Sequence, residues 1–228
     1  MTRMKRHSFI LFVQLVFIMY ANTLSAETVT EIISLQEENF KHIKFSRIKP
    51  NHHVFHDQQL QINVDDSASF LMQAFSHVRQ VNHVSFEWRS DGIPQTKNVE
   101  HEAQRRGDDA VFKLGLLLKT SDPLLLNPFL PPWMKRVETL LNFPSENMIY
   151  LVVDAKHSVG ERWANPYNKR ATMLSIASTN VSSENKRDWK QASYRFDIPV
   201  SVVALWLMSD GDNTNSTFTV HIKNIRIE

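Results

Sequence analysis

Two short acidic segments contain the oxygen ligands that a hard cation would need. Asp108 and Asp109 precede one apolar run, and Asp210-Gly-Asp-Asn213 follows another. Calcium takes several oxygens from carboxylates and amide carbonyls, and a glycine allows the chain to wrap tightly around the ion. We therefore expect one rim of the fold to bring together a candidate structural calcium site, made of Asp108, Asp109, Asp210, Asp212 and Asn213. These residue types also form turns without a metal, which is the alternative interpretation.

A second group of residues has the chemistry of a sugar-binding surface. Aromatic faces stack on the apolar side of a sugar ring, while amide and guanidinium groups pair with hydroxyls or carboxylates. The candidate ligand-binding residues of this kind are Arg106, Trp163, Asn165, Tyr167 and Arg170. An exposed Trp163 beside Tyr167 would favour this interpretation, and a buried pair would argue against it.

Motifs of the common hydrolases are missing from the sequence. It contains no Gly-x-Ser-x-Gly, no P-loop, no His-Glu-x-x-His and no cysteine. Glu87, His157 and Glu161 can do acid–base chemistry, but such a group must first lie within reach of the proton that it transfers. We therefore expect a protein that is not an enzyme, with a hydrolase or lyase acting on a polysaccharide as the alternative.

The first 26 residues have the organisation of a cleavable signal peptide. A basic segment ending at Arg6 precedes an apolar run from Phe9 to Tyr20, and Ala26 is the small residue expected at the cut. The apolar run is shorter than the ~20 residues that a membrane-spanning helix needs. We therefore predict that residues 1–26 are removed and that the mature chain, with no transmembrane segment, is periplasmic or secreted.

Removal of this segment changes the charge of the protein. The whole chain has a formal net charge of +2, and the segment carries three basic residues and no acidic ones, so the mature chain has a charge of −1. Nucleic-acid binding requires a clear excess of positive charge, so we expect no nucleic-acid partner. Without cysteine no disulfide can form, and stability must come from one hydrophobic core within a single domain, residues 27–228.

Alternating apolar and polar residues predict short strands over much of the mature chain. The predicted strands are Leu60–Val64, Ala68–Phe75 as its return partner, Val84–Trp88, Ala110–Leu118, Met148–Val153, Thr172–Ala177, Tyr194–Ile198, Val202–Met208 and Phe218–Ile227. The segment Glu27–Phe45 fits either a short helix or a covering arm. Because helices do not alternate with the strands, we predict an all-β fold, an antiparallel jelly-roll-like β-sandwich.

Residues 121–147 interrupt this pattern with five prolines. Within them, apolar residues recur three and four positions apart from Trp133 to Leu141, and Pro131-Pro132 stand where a helix can begin. We therefore predict one short helical insertion. Its apolar face either covers the sandwich or docks a partner in an envelope assembly.

Five sequence segments occur in the order found in a known bacterial family. They are Ser85-Phe-Glu-Trp88, Arg106-Gly-Asp-Asp109, Ile149-Tyr-Leu-Val152, Asn165-Pro-Tyr167 and Ala204-Leu-Trp-Leu-Met-Ser-Asp-Gly-Asp-Asn-Thr214. From about Phe45 to Glu228 the chain resembles the family catalogued as Domain of Unknown Function 3047. The resemblance implies an exported sandwich protein, similar to galactose-binding-like jelly rolls and carbohydrate-binding modules.

The leading functional interpretation is an exported, non-catalytic binding module for a glycan or another cell-envelope component. The alternatives are the polysaccharide hydrolase or lyase and the structural partner in an envelope assembly.

Overall fold

The computed structural model of the protein describes residues 30–121, 130–181 and 189–228. These residues form twelve strands, two short α-helices and a single 3₁₀ turn at Glu37–Asn39. The strands are β1 (Glu31–Ile32), β2 (Lys41–Lys44), β3 (His52–His56), β4 (Gln59–Asp65), β5 (Ala68–Asp91), β6 (Ala110–Lys119), β7 (Ser145–Val153), β8 (Arg162–Ala164), β9 (Ala171–Ser175), β10 (Ser178–Asn180), β11 (Lys190–Asp210) and β12 (Thr217–Ile227). The helices are α1 (Val99–Glu102) and α2 (Pro132–Leu140). The all-β prediction is therefore confirmed, while the predicted signal peptide and its cut site lie outside the described residues.

All twelve strands belong to one mixed sheet, whose main path is β3-β4-β12-β5-β11-β6-β7-β9-β8. The long strands β5 and β11 pair with each other along almost their whole length. Their two halves have different outer neighbours, because the first half of β5 pairs with β2 and the second half with β12. β5 and β11 therefore run through both halves of a sandwich and join them into one sheet.

The two halves of the sheet enclose the main hydrophobic core. Leu205 and Leu207 of β11 face inward together with Leu114 of β6 and side chains of β4 and β12 such as Ile62. Residues of opposite parity point away from this core, as the two-residue period of a strand requires. Because these outward residues are also apolar on one half of the sandwich, that half has a second buried layer.

We call this second layer the outer cluster. Its members from the sheet include Phe70, Met72, Tyr150, Met173 and Trp206. Helix α2 packs on it through the buried Val137 and the half-buried Trp133 and Leu140. The apolar face of the predicted insertion therefore covers the sheet, which was the first of its two predicted roles.

The helical insertion is shorter than the sequence pattern suggests. α2 ends at Leu140, and β7 begins at Ser145, so residues 145–147 belong to the sheet. Asn147 pairs with Leu118 in the register of β6, which continues the ladder into the predicted insertion. The first described segment, residues 30–45, is a covering arm and not an α-helix, because β1 pairs with β12 and β2 pairs with β5.

The prediction that every strand is antiparallel is wrong at one pair. β7 and β9 are parallel, from Met148 opposite Ala171 to Val152 opposite Ser175. Parallel neighbours need a connection of about a dozen residues or more. The chain between Val153 and Ala171 is long enough for that connection and contains β8, which pairs with β9 at the sheet edge.

The predicted hairpin partner of β4 is also wrong. β12 lies between β4 and β5, and it pairs with both of them. A strand from the end of the chain therefore separates two strands that are adjacent in sequence. No helix among residues 30–121, 130–181 and 189–228 is long and apolar enough to cross a membrane.

Candidate functional site

A cleft of about 1210 Å³ lies on the outer face of the sheet, beside α2. Its walls combine aromatic rings of the outer cluster with polar side chains from the loops at one end. The aromatic lining residues are Phe45, Trp133, Tyr150, Tyr167 and Trp206. The polar end includes Asp108, Lys113, Asn165, Asp210, Asp212 and Asn213. We refer to this second set as the polar end of the cleft.

The aromatic rings are held by edge-to-face contacts. Trp206 lies edge-on to Trp133 at 5.9 Å and to Tyr150 at 6.1 Å between ring centroids. Gly115 of β6 sits opposite both Tyr150 and Trp206 in the sheet register. A Cβ atom there would lie 3.0 Å from Trp206 Cβ and 3.1 Å from Tyr150 Cε1, so glycine leaves the room that these two rings occupy.

Lys113 is the centre of the polar end. The side chain points from β6 toward the outer face and is 1% exposed. Its Nζ donates to the backbone carbonyl of Asp108 at 2.8 Å and to Asp210 Oδ2 at 3.1 Å, and it lies 3.5 Å from Asp108 Oδ2. A buried ammonium needs such partners because the loss of water costs several kcal/mol or more. One ammonium thus holds the ends of β6 and β11 together.

Burial and charge shift the acid–base behaviour of these groups in opposite ways. Burial alone would lower the pKa of Lys113, but the carboxylates of Asp108 and Asp210 raise it above its ordinary value, so the ammonium stays charged. Burial raises the pKa of Asp108 and, more strongly, that of Asp210, although Lys113 opposes both shifts. The neighbouring carboxyls of Asp212 and Asp109 add to the effect on Asp210. Burial thus favours the neutral form of both carboxyls, while the Lys113 ammonium favours their ionised form.

Asp109 holds the loop that follows β11. Its Oδ2 accepts from the backbone N–H of Thr214 at 2.7 Å and from the Thr214 hydroxyl at 2.5 Å. Its Oδ1 accepts from the backbone N–H of Asn213 at 3.2 Å and from Nδ2 of the same residue at 3.1 Å. Gly211 is required in this loop, because a Cβ there would lie 2.6 Å from Val64 Cγ1.

The five residues predicted as calcium ligands fall into two groups in the structure. Asp109, Asp210 and Asp212 each offer a carboxylate oxygen, and these oxygens all lie within 4.8 Å of one another. Asp108 instead faces Lys113 and accepts from Asn165 Nδ2 at 3.3 Å. The Asn213 amide N–H group donates to Asp109 and Asp212, so this amide braces the carboxylates.

Three of the five predicted sugar-binding residues line the cleft, namely Asn165, Tyr167 and Arg170. Asn165 Oδ1 accepts from the backbone N–H groups of Tyr167 and Asn168, both at 2.9 Å, which shapes the loop before β9. The Tyr167 hydroxyl lies 2.6 Å from Asn213 Oδ1. Burial, followed by the charges of Asp212 and Asp210, raises the pKa of Tyr167 to about 12. Tyr167 is 55% exposed, and the Arg105 guanidinium lies over its ring at 5.3 Å from the centroid, so the part of the ring that Arg105 leaves uncovered is open to a ligand.

The other two predicted sugar-binding residues lie away from the cleft lining. Trp163 of β8 is half-buried, and one face of its indole stacks on His157 with ring centroids 3.8 Å apart. His157 is itself held by Glu102, whose carboxylate lies 2.6 Å from His157 Nδ1. Arg106 is exposed in the turn before β6. Trp163 therefore packs as part of the protein and does not form an exposed pair with Tyr167.

The sequence reasoning missed several residues of the cleft, among them Lys113 and Trp133. Lys113 appeared only as a charged interruption in the apolar run of β6, yet a lone lysine in a buried strand is itself a signal of buried carboxylate partners. Trp133 appeared only as part of the apolar face of α2. Its second role depends on the gap between α2 and the sheet, which no sequence pattern contains.

The solved structures that this chain is similar to include two distant ones. One is a low-affinity xylan-binding module from Roseburia intestinalis, with 11% identity over 88% of this chain and 95% of that chain and a TM-score of 0.36. The other is the xyloglucanase domain of a type three effector from Sinorhizobium fredii, in complex with cellobiose, with 8% identity over 88% of this chain and 98% of that chain and a TM-score of 0.39. A search of curated proteins gives no match.

The family comparison is the strongest of the three. The model described as "Protein of unknown function (DUF3047)" matches residues 36–226, which include all of β2 to β11 and nearly all of β12. The acidic loop after β11 and the Asp108-Asp109 pair both lie inside the matched region. The chain therefore belongs to the DUF3047 family.

Proposed function

We propose that the protein is an exported, non-catalytic binding module whose ligand, a glycan of the cell envelope or its surroundings, lies in the cleft on the outer face of the sheet. One observation carries this proposal. The cleft brings an aromatic lining and a dense set of hydrogen-bonding groups into the same concave surface. Sugars require this combination, because each ring has an apolar face and a rim of hydroxyls.

The size of the cleft supports a ligand of more than one sugar ring. Its volume of about 1210 Å³ exceeds the ~300–1,000 Å³ of typical small-molecule sites. The lining extends from Asp212 at the polar end to Arg170 and Glu146, and it also includes Tyr167. Arg170 Nη1 lies 3.4 Å from Glu146 Oε2 in a partly exposed pair, and both groups can exchange this contact for ligand hydroxyls.

A hydrolase or lyase is the second candidate, because the cleft contains carboxyl groups with a raised pKa. Their geometry favours binding instead. The carboxyls of Asp210 and Asp212 lie directly beside each other, whereas the two carboxyls of a glycosidase stand about 5 Å or more apart. Lys113 Nζ also donates a hydrogen bond to Asp210 Oδ2, so that oxygen is not free to transfer a proton.

An assembly role through α2 has less support. Such a role needs an exposed apolar face, but the large apolar side chains of α2 pack on the outer cluster. Export to the periplasm or the medium is part of the proposal and rests on the organisation of residues 1–26.

The test is a binding survey with soluble polysaccharides and fragments of bacterial envelope glycans, by isothermal titration calorimetry on the purified protein. We expect at least one glycan class to bind, and Tyr167→Ala to weaken that binding by about tenfold because an exposed stacking ring is lost. The matched control is Ile198→Ala on β11, which removes another exposed large side chain outside the cleft lining.

The same samples separate binding from catalysis. Release of new reducing ends or unsaturated products from a bound glycan would favour the enzyme. Failure of every glycan to bind, or equal losses in Tyr167→Ala and Ile198→Ala, would overturn the proposed binding site.

A further inference from the structure

Acidic side chains from two loops gather at the polar end of the cleft and directly beside it. Four carboxyl groups meet there, from Asp108, Asp109, Asp210 and Asp212. Within residues 30–121, 130–181 and 189–228, Lys113 is the only cationic side chain that contacts any of them. Like charges at this separation repel strongly in a buried environment, so the cluster is stabilised either by taking up a proton or by binding a cation.

One atom in the cluster identifies where a partner is missing. Asp210 is 4% exposed, and its Oδ2 is satisfied by Lys113. Its Oδ1 is buried and has no hydrogen-bond donor within the described part of the chain. The group that lies beside the Asp210 carboxyl is the carboxyl of Asp212, which is also an acceptor when ionised. A buried acceptor without a partner is costly, so this position calls for a ligand.

The distances fit a metal ion. Oxygens of Asp109, Asp210 and Asp212 lie within 4.8 Å of one another, and two oxygens bound to one calcium ion at about 2.4 Å can be at most about 4.8 Å apart. Asp109 is held in place by the backbone N–H groups of Asn213 and Thr214, so its position does not depend on the ion. Asp212 is half-exposed, which leaves a side of the cluster open for entry and for water or ligand oxygens.

We propose that Asp109, Asp210 and Asp212 bind one calcium ion at the polar end of the cleft. The donors are all hard oxygens, which calcium and not a thiolate- or imidazole-preferring metal selects. Asp210 and Asp212 also line the cleft, so hydroxyls of a bound glycan can reach the ion in place of water. The ion therefore links the loop after β11 to the ligand surface. Binding of the ion itself does not require the proposed glycan function and is measured without any glycan.

The test uses the purified protein, freed of metal with a chelator and titrated with calcium chloride by isothermal titration calorimetry. We expect one calcium per chain and an upward shift of the melting temperature that chelator reverses. Asp212→Asn should weaken calcium binding by about tenfold or more, since it removes one charged ligand. Asp197→Asn, at an exposed carboxylate of β11, is the matched control and should bind as the unchanged protein does.

Each alternative result overturns the assignment. The first such result is that calcium at about 10 mM, above the range of weak extracellular sites, produces neither heat nor a shift in melting temperature. The second is that Asp212→Asn binds calcium as tightly as Asp197→Asn does. The third is that the unchanged protein binds magnesium as tightly as calcium. If Asp212→Asn does not fold, terbium luminescence of the unchanged protein and its displacement by calcium decide the question.

Discussion

At the scale of single residues, the polar end of the cleft depends on one lysine. Lys113 is paired with two buried carboxylates, and removal of one partner from such a group usually costs more than the intact pair contributes. Lys113 lies on the face of β6 that points away from the main core, opposite Met208 of β11. The Lys113 side chain is buried there because α2 and the neighbouring loops cover this face of the sheet.

A second residue-scale feature is the half-buried His53 of β3. Both of its ring nitrogens are buried without a hydrogen-bond partner within the described ranges, and its ring lies 4.5 Å from that of His42. Burial lowers the pKa of His53 to about 3, and the nearby His42 and His52 add to the shift. On the same strand His52 and His56 are exposed, so burial affects the histidine whose side chain points to the other face.

The lowered pKa of His53 predicts a loss of stability in acid. The unfolded chain takes up a proton near pH 6.5, whereas the folded chain does so only near 3. The unfolded state therefore binds more protons between these values, so the contribution of His53 is complete above pH 6.5 and declines as the pH falls toward 3. His53→Leu should reduce the slope of unfolding free energy against pH by up to about 1.4 kcal/mol per unit.

Urea denaturation between pH 4 and 7 measures this slope. The control is His77→Gln, because His77 is exposed and lies on β5 away from β3. A slope that is the same in His53→Leu and the unchanged protein would contradict the assignment of this acid sensitivity to His53.

At the scale of elements, the long strands decide where the cleft lies. Sequence periodicity predicted Ala68–Phe75 and Val84–Trp88 as separate strands, but they are parts of the single strand β5. The predicted strands Tyr194–Ile198 and Val202–Met208 likewise merge into β11. Polar residues between them remain extended because the two strands pair with each other, with bulges that absorb register shifts. Local patterns do not show this continuity.

Gly115 tests the role of β6 beneath the aromatic rings. Gly115→Ala would place a methyl group 3.0 Å from Trp206 Cβ, 3.1 Å from Tyr150 Cε1 and 3.2 Å from Met148 Sδ. We expect a loss of about 1–3 kcal/mol in unfolding free energy, as overpacking usually gives, together with weaker ligand binding because the rings must shift.

Gly160→Ala is the comparison for this change. Gly160 has a φ of +86° and open space around its Cα, so alanine there costs backbone strain but meets no atom within 4 Å. Denaturation curves and ligand titrations on both variants separate the effects. Equal ligand affinity in Gly115→Ala and the unchanged protein would show that the Gly115 gap does not shape the cleft.

At the scale of the whole molecule, the proposed export depends on residues 1–26. The proposed export predicts that a Gram-negative host expressing the whole chain places it in the periplasm without residues 1–26. Intact-mass measurement of the periplasmic fraction should give the mass of residues 27–228, within a few residues of the cut. Retention of the full-length mass in the cytoplasm would contradict the proposed signal peptide.

Much of the fold was predictable because strand periodicity is a local property. β4, β6, β7 and β12 lie close to where alternating apolar residues predicted them. The pairing of β12 between β4 and β5 was not predictable, since residues that are distant in the sequence compete with the neighbouring strand for the same hydrogen bonds. The parallel pairing of β7 and β9 escaped prediction for the same reason.

The sequence alone determined the all-β class, the apolar residues available for a core, the DUF3047 resemblance and the acidic segments around Asp109 and Asp212. The tertiary structure decided which of these residues meet. Asp109 and Asp212 are brought together because the start of β6 and the end of β11 are adjacent, at the same end of the two paired strands. Lys113 and Trp133 join the cleft because α2 folds onto the outer face of the sheet. Proximity in space depends on strand order and packing, which are properties of the whole chain.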